Sequence, residues 1–233
     1  MNEKLKKIQC LSGSTLKLLA MALMLIDHAG HVLFPHLTWM RAVGRIAFPI
    51  FAFFVAEGLH YTRSRPKYML RLGIFALISE IPFNLAISRK ALYPDAQNVM
   101  FTFLIAALTV TVFEALYKSK DPAYEIPKKI LGIVAAALIP FLGIALSTDY
   151  NSYGVWLVML FYFLRESRLA ANLAAVGANF IWYSNTLSHH AALSFFPLML
   201  YNGKKGAELK YLFYIFYPAH LLLLWAISYF GIL

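Results

Sequence analysis

Asp27, His28 and His31 stand together inside the apolar stretch 16–34, and that setting makes them the first candidates for chemistry. An imidazole titrates near neutral pH, so it can take a proton from an attacking amine or hydroxyl, and a carboxylate beside it can fix its tautomer. Asp27 lies ten residues past Lys17, roughly 15 Å along a helix that rises about 1.5 Å per residue. A charge at such depth in a bilayer costs a few kcal/mol or more, so it turns toward a bundle interior and takes a partner. Asp27 and His31 are four apart and share a helix face, where each is expected to hydrogen-bond the other. His28 faces a different neighbour, about 100° around the helix. The bland alternative is a polar knot that joins neighbouring helices.

Other polar residues sit in comparable places. Arg41 and Arg45 are one turn apart and suit a carboxylate, a phosphate or a developing oxyanion near His28, or simply snorkel to headgroups. Glu57 and His60 lie near the far end of the same apolar stretch, beside the densest cationic cluster: Arg63, Arg65, Lys67 and Arg71. That cluster suits the phosphates of a cytosolic cofactor, and it also serves as an orientation signal. Glu80 and Asn84 share a face, with Pro82 between them opening the helix, so they are candidates for a polar pocket together with Asn98. His220 follows Pro218 at about 15 Å from Lys210, a depth similar to that of His28, so the two histidines could line one cavity. His189 and His190 are adjacent, point apart and make a poor metal site. No His-Glu-x-x-His, paired-cysteine or glycine-rich phosphate motif is present, and no metal is expected. The single Cys10 excludes an internal disulfide.

The elements that position these groups are helices in a membrane. With 61% hydrophobic and 14% charged residues and a mean hydropathy of +0.64, the chain lacks the charged surface of a soluble domain. Its apolar runs approach the roughly 20 residues that cross a hydrocarbon core as helix, and none shows the strict alternation of a barrel. The pattern predicts an all-α polytopic bundle, a single domain over 1–233, with about nine spans. They fall at 14–34, 43–61, 69–87, 99–117, 130–147, 153–164, 169–186, 191–202 and 211–232, the sixth and eighth being short. The first run lacks an A-x-A cleavage pattern and reads as a retained span. A cytoplasmic N-terminus places 17 of the 21 basic residues on the inner side, leaving only Arg41, Arg45, Arg89 and Lys90 outside. That asymmetry accounts for the net charge of +10 as an orientation signal, without nucleic acid.

Three tracts give the pattern a precedent: LKLLAMALMLIDHAGH, then GRIAFPIFAFFVAEGLHYTRSRPKYMLRLGIFALISEIPFNLA, then NVMFTF. Together with the later DYNSYG, NGKKG and KYLFYIFYPAHLLLL, they resemble the TraX family of membrane proteins over most of the chain, in order. The resemblance implies acetylation of the N-terminal amine of a conjugative pilin, with acetyl-CoA as donor, in the bacterial cytoplasmic membrane. The family is similar in organisation to membrane acyltransferases that modify sugars, in which a histidine of the first conserved span serves the reaction and the donor enters from the cytoplasm. Carried over by position, this implies His28 as the catalytic histidine and Asp27 as its partner. Arg41, Arg45, Glu57, Glu80, Asn98 and His220 would form the pocket. TraX-like proteins also occur apart from conjugation, so the acceptor is left as a peptide, a sugar or a small molecule.

Three functions are therefore in play. One is an acetyl-CoA-dependent N- or O-acetyltransferase with His28 as general base or as acyl carrier. Another is a proton-coupled transporter or flippase that uses Asp27, His28, Glu57 and Glu80 as a relay. The third is a non-catalytic assembly factor. The ionisable residues crowd into the first three spans, whereas transporters built from inverted repeats carry matching sets in both halves, which favours a fixed reaction site. Membrane lipids are partners in every case, and the sequence leaves the oligomeric state open.

Overall fold

A computed structural model describes residues 8–119, 124–208 and 210–231; the expected basic residues Lys4, Lys6, Lys7 and Lys120 lie outside these. The described chain is helical, with two isolated bridges, Leu11 to Tyr201 and Gln97 to Thr148, and no named strand. In chain order the helices are α1 (Gly13–Val32), α2 (Thr38–Gly44), α3 (Ala47–Tyr61), α4 (Arg65–Ser88), α5 (Val99–Tyr117) and α6 (Glu125–Leu138). A 3₁₀ turn follows at Ile139–Phe141, then α7 (Leu142–Ala145), α8 (Asn151–Phe163), α9 (Arg168–Trp182) and α10 (Thr186–His189). Another 3₁₀ segment (His190–Ser194) leads to α11 (Phe195–Met199) and α12 (Lys210–Tyr229).

Side-chain caps start the helices where the sequence offers them. Ser12 accepts from the Thr15 N–H, Ser64 from Lys67, Asn98 from Met100 and Ser167 from Ala170. Arg89 closes α4 in the left-handed conformation, at φ 56°. Pro49 falls in the first turn of α3, where a missing N–H costs nothing, and the second apolar stretch is broken between Gly44 and Ala47.

Among the described residues, six helical stretches are long and apolar enough to cross a membrane: Gly13–Val32, Thr38–Tyr61, Arg65–Ser88, Val99–Tyr117, Glu125–Ala145 and Tyr211–Tyr229. The expected spans at 153–164 and 169–186 form helices of 13 and 15 residues, shorter than the roughly 20 a bilayer needs. The expected span at 191–202 is a 3₁₀ segment followed by a five-residue helix. Pro197, in its middle, cannot donate within a longer helix.

Contacts collect at two ends of the bundle. At one end Leu11 and Gly13 pair with 200–204, Arg65 meets Glu114 and Tyr162, and Arg168 donates to the Tyr201 carbonyl. At the other, Gln97 pairs with Ser147 and Asp149, and Asn179 bonds Tyr153 and Ser188. Between them α8 runs through the core, packed on α3, α5 and α9. Tyr153, Leu157 and Phe161 on it are almost wholly buried. α12 lies against α4 and α1, and α6 against α5. The outward faces of α4, α6 and α12 carry Leu77, Ile81, Ile133, Leu138, Ile215 and Leu223, all exposed. Apolar faces of this extent are stable in hydrocarbon and not in water, so the protein is a multi-pass membrane protein.

Candidate functional site

The deepest polar cluster joins α1 and α12. His28 and His220 are both buried, and His28 Nδ1 lies 2.7 Å from His220 Nε2. The other ring nitrogen of His220, Nδ1, lies 2.8 Å from the Phe216 carbonyl one turn back. A carbonyl only accepts, so His220 Nδ1 carries a hydrogen and, in a neutral ring, Nε2 is its lone-pair nitrogen. His28 Nδ1 must then be the donor, which leaves the lone pair of His28 on Nε2. Proton positions follow here from the hydrogen-bond chain, running from His28 through His220 to the backbone. Packing holds the pair in register: the Phe216 ring stacks on His220 at 4.7 Å, and Tyr217 sits edge-on to His28 at 6.5 Å.

Asp27 does not bond His31 as its spacing suggested, nor is it the partner of His28. Arg41 takes its Oδ2 at 2.8 Å and also donates to its backbone carbonyl, and Arg45 Nε lies 3.8 Å from Oδ1. Two guanidiniums outcompete a neutral imidazole for a carboxylate, because charge-assisted bonds are the stronger ones. This clamp needs α1 and α2 very close together, and Gly44 permits it. A Cβ at Gly44 would overlap the Cα, Cβ and Oδ1 of Asp27. The clamp fixes the helical turn that carries His28. Arg45 is also within hydrogen-bonding reach of Tyr150.

Two cavities meet beside the histidines. A chamber of about 40 Å³ is lined by Asp27, His28, Gly44, Phe48, Asp149 and Tyr150, among others. A much larger cavity of about 930 Å³ runs from the end formed by Gly13, Thr62 and Lys205. The two share Met24, Phe51, Val99, Phe103 and Tyr217 as walls. Lys17, Glu57, Arg71 and Lys205 line the large one. Arg71 Nε is buried there without a hydrogen-bond partner among the described residues, and Lys17 lies over the Phe54 and Phe213 rings. Asp149 precedes α8, outside the six long helices. Asp149 is exposed as a residue and lines the small chamber, and its carboxyl is pushed up to about 6, first by loss of solvation. Asp27 adds to that shift, and Arg45 and Arg41 oppose it.

The remaining sequence candidates divide. Glu57 and Arg71 line the large cavity, whereas Arg63, Arg65 and Lys67 line neither. Arg65 is occupied by Glu114 at 2.5 Å and by Tyr162 at 2.7 Å. Glu80 and Asn98 also lie outside both walls. Asn98 donates to Glu80 Oε2 at 2.6 Å and to the Ala76 carbonyl, Asn84 donates to Glu80 Oε1, and the group ties α4 to α5. Sequence reasoning missed Lys17, Lys205, Asp149 and Tyr217 as wall residues and Gly44 as a spacer. For Gly44 the signal was its place between Arg41 and Arg45, and for Tyr217 its place beside Pro218 and His220. Lys205 and Asp149 stood in the tracts NGKKG and DYNSYG, whose sequence did not show what they would line. Among the described residues no cluster of His, Cys, Asp and Glu fits a metal ion.

A multi-pass helical membrane protein with a buried histidine pair beside a large, mostly apolar cavity is the class these features define. The chain belongs to the TraX family, whose description, TraX protein, matches residues 12–228. It is 29% identical over 241 residues to a protein called probable fimbrial assembly protein FimC, serogroup H1, of Dichelobacter nodosus, covering 91% of this chain and 94% of that one. It is 34% identical over 97 residues to protein TraX of Escherichia coli (strain K12), covering 41% of this chain and 38% of the relative. A 66-residue match, 44% identical, links it to an uncharacterized protein of Rickettsia prowazekii, over 28% of this chain and 25% of that one. No solved structure matches the chain.

Proposed function

We propose that this protein is a membrane-bound acetyltransferase of the bacterial cytoplasmic membrane. It moves an acetyl group from acetyl-CoA to an amine or hydroxyl acceptor, with His28 as the general base. The observation that carries the reading is the hydrogen-bonded His28–His220 pair, whose unspent nitrogen belongs to a residue lining a chamber that shares walls with the large cavity. At about 930 Å³ the cavity is at the upper end of ligand sites, and it suits a long donor better than a small metabolite. Arg71, Lys17 and Lys205 offer cations for phosphates, and the walls toward His28 become apolar, which suits a pantetheine arm.

In this reading His28 Nε2 takes the proton as the acceptor attacks the thioester carbonyl, and His220 holds the ring in the tautomer that leaves Nε2 free. The tetrahedral adduct collapses, the carbon–sulfur bond breaks, and the proton on His28 passes to the departing thiolate. The products are the acetylated acceptor and CoA. Asp27, held by Arg41 and Arg45, positions the turn and does not touch the reacting atoms.

The proposed topology has a cytoplasmic N-terminus and nine passes, three of them short and within the bundle. In its support, residues 11–14, 62–65, 114, 162–168 and 200–205 gather at one end and 97, 147–153 and 179–188 at the other. The basic excess falls at the first of these ends. The relatives named for fimbrial assembly and TraX make a pilin N-terminus the leading acceptor. A proton relay would need Asp27, His28 and Glu80 in hydrogen-bonded succession, whereas Asp27 is paired with arginines and Glu80 with asparagines.

The test is proteoliposomes given acetyl-labelled acetyl-CoA and a series of amine and hydroxyl acceptors. Acceptor-dependent CoA release that vanishes in His28→Ala is expected. Proton flux that needs Asp27, with no CoA released, would replace this reading with the transporter, and neither activity would leave an assembly factor.

A further inference from the structure

The wall shared by the two cavities holds Met24, Phe51, Val99, Phe103 and Tyr217, and only Tyr217 carries a polar side chain there. Tyr217 is 2% exposed, and its hydroxyl has no hydrogen-bond partner among the described residues. The backbone group beside it is the Val99 N–H in the first turn of α5, which can only donate to the phenol oxygen. The hydroxyl hydrogen therefore has no acceptor among the described residues. An enclosed hydroxyl left in that state is destabilising, and the same fold could have placed phenylalanine there. The ring is edge-on to His28 at 6.5 Å and 5.8 Å from His220, and the residue lines both cavities, so Tyr217 stands at the reaction zone rather than in a distant core.

We infer that the Tyr217 hydroxyl is a catalytic hydrogen-bond donor, aimed at the carbonyl oxygen of the acyl group where the donor cavity meets the His28 chamber. The inference rests on the acetyl-transfer reading and adds the group that stabilises its transition state. As the acceptor attacks, the carbonyl carbon becomes tetrahedral and its oxygen gains negative charge. Tyr217 meets that oxygen with its O–H and keeps its own proton, while His28 takes the proton of the acceptor. When the carbon–sulfur bond breaks, the carbonyl re-forms, and the thiolate leaves with the proton from His28. Donors fixed in advance at such a position contribute most where charge develops, and one of them is worth about 10²–10³-fold in kcat.

The experiment compares wild type, Tyr217→Phe and a variant with 3-fluorotyrosine at 217, in acetyl transfer from acetyl-CoA and in thermal unfolding in detergent. Tyr217→Phe keeps the ring and removes only the unpartnered hydroxyl. Expected are a kcat about 100-fold lower, a KM for acetyl-CoA within about threefold of wild type, and a Tm no lower than wild type. Fluorotyrosine, which keeps the O–H, is expected to recover most of the rate. A Tyr217→Phe kcat within about threefold of wild type overturns the inference and leaves the acetyltransferase reading intact. So does a lost rate accompanied by a lower Tm, since that marks a structural hydroxyl. Wild type that transfers nothing overturns both.

Discussion

His220→Ala tests the hydrogen-bond chain behind His28. Two bonds define that chain, His28 Nδ1 to His220 Nε2 at 2.7 Å and His220 Nδ1 to the Phe216 carbonyl at 2.8 Å. Removing the His220 ring leaves the Nδ1–H of His28 buried without an acceptor, a cost of about 1–3 kcal/mol. The imidazole relieves that cost by turning or by moving its hydrogen to Nε2, and either change spends the lone pair the reaction needs. At about 1.36 kcal/mol per tenfold, the productive fraction falls by about 5- to 150-fold. The loss belongs in kcat, because His220 lines neither cavity and touches no donor. His220→Gln sets an amide oxygen near the vacated Nε2 and is expected to hold kcat within about fivefold of wild type. Steady-state CoA release against acetyl-CoA concentration separates kcat from KM, with Tm as the folding control. A His220→Ala enzyme of wild-type kcat would refute the chain, and so would a loss confined to KM.

Gly44→Ala drives a methyl into Asp27 and is expected to lower stability by about 1–3 kcal/mol, read as a reduced Tm, with the Asp27–Arg41 clamp opened. Arg71→Ala removes a cation with an unpartnered Nε from the large cavity, and is expected to raise KM for acetyl-CoA by about 10-fold or more with little change in kcat. Arg65→Ala, which breaks the pair with Glu114, should instead lower Tm and leave KM alone. Asp149 gives a pH test: its folded carboxyl is raised from 3.8 to about 6, so the stability it contributes is complete below about pH 4 and is lost as pH rises through about 6. Asp149→Asn should therefore gain in Tm over wild type across that window, and an equal pH slope in the two proteins would contradict the raised carboxyl.

The helices and the deep histidines were legible in the sequence because lipid allows few alternatives: apolar runs must be helices, and buried ionisable groups must turn inward. The similar depth of His28 and His220 followed from rise per residue alone. Their direct contact did not, since it depends on how α12 packs on α1, and no local spacing records that. The partner of Asp27 was misjudged for the same reason. The i,i+4 rule favours His31 within one helix, yet Arg41 arrives from α2 once Gly44 lets the helices close. The basic loop looked like one phosphate site by density. In the fold Arg65 turns to Glu114, and the large cavity instead draws Arg71 together with Lys17 and Lys205, which are remote in sequence. The stretches 153–164, 169–186 and 191–202 read as spans from hydropathy; in the fold they are helices of 13 and 15 residues and a 3₁₀ segment with a five-residue helix, because hydropathy records neither where a helix breaks nor whether its apolar surroundings are protein or lipid.

The central claim is that His28 supplies the base, and chemical rescue tests it most directly. His28→Gly removes the imidazole and leaves room for a free one beside the chamber. The expected result is acetyl transfer reduced at least about 10²-fold, with the rate rising again as imidazole is added to millimolar concentration and no matching rise in wild type. Transfer at the wild-type rate in His28→Gly without imidazole would contradict the account.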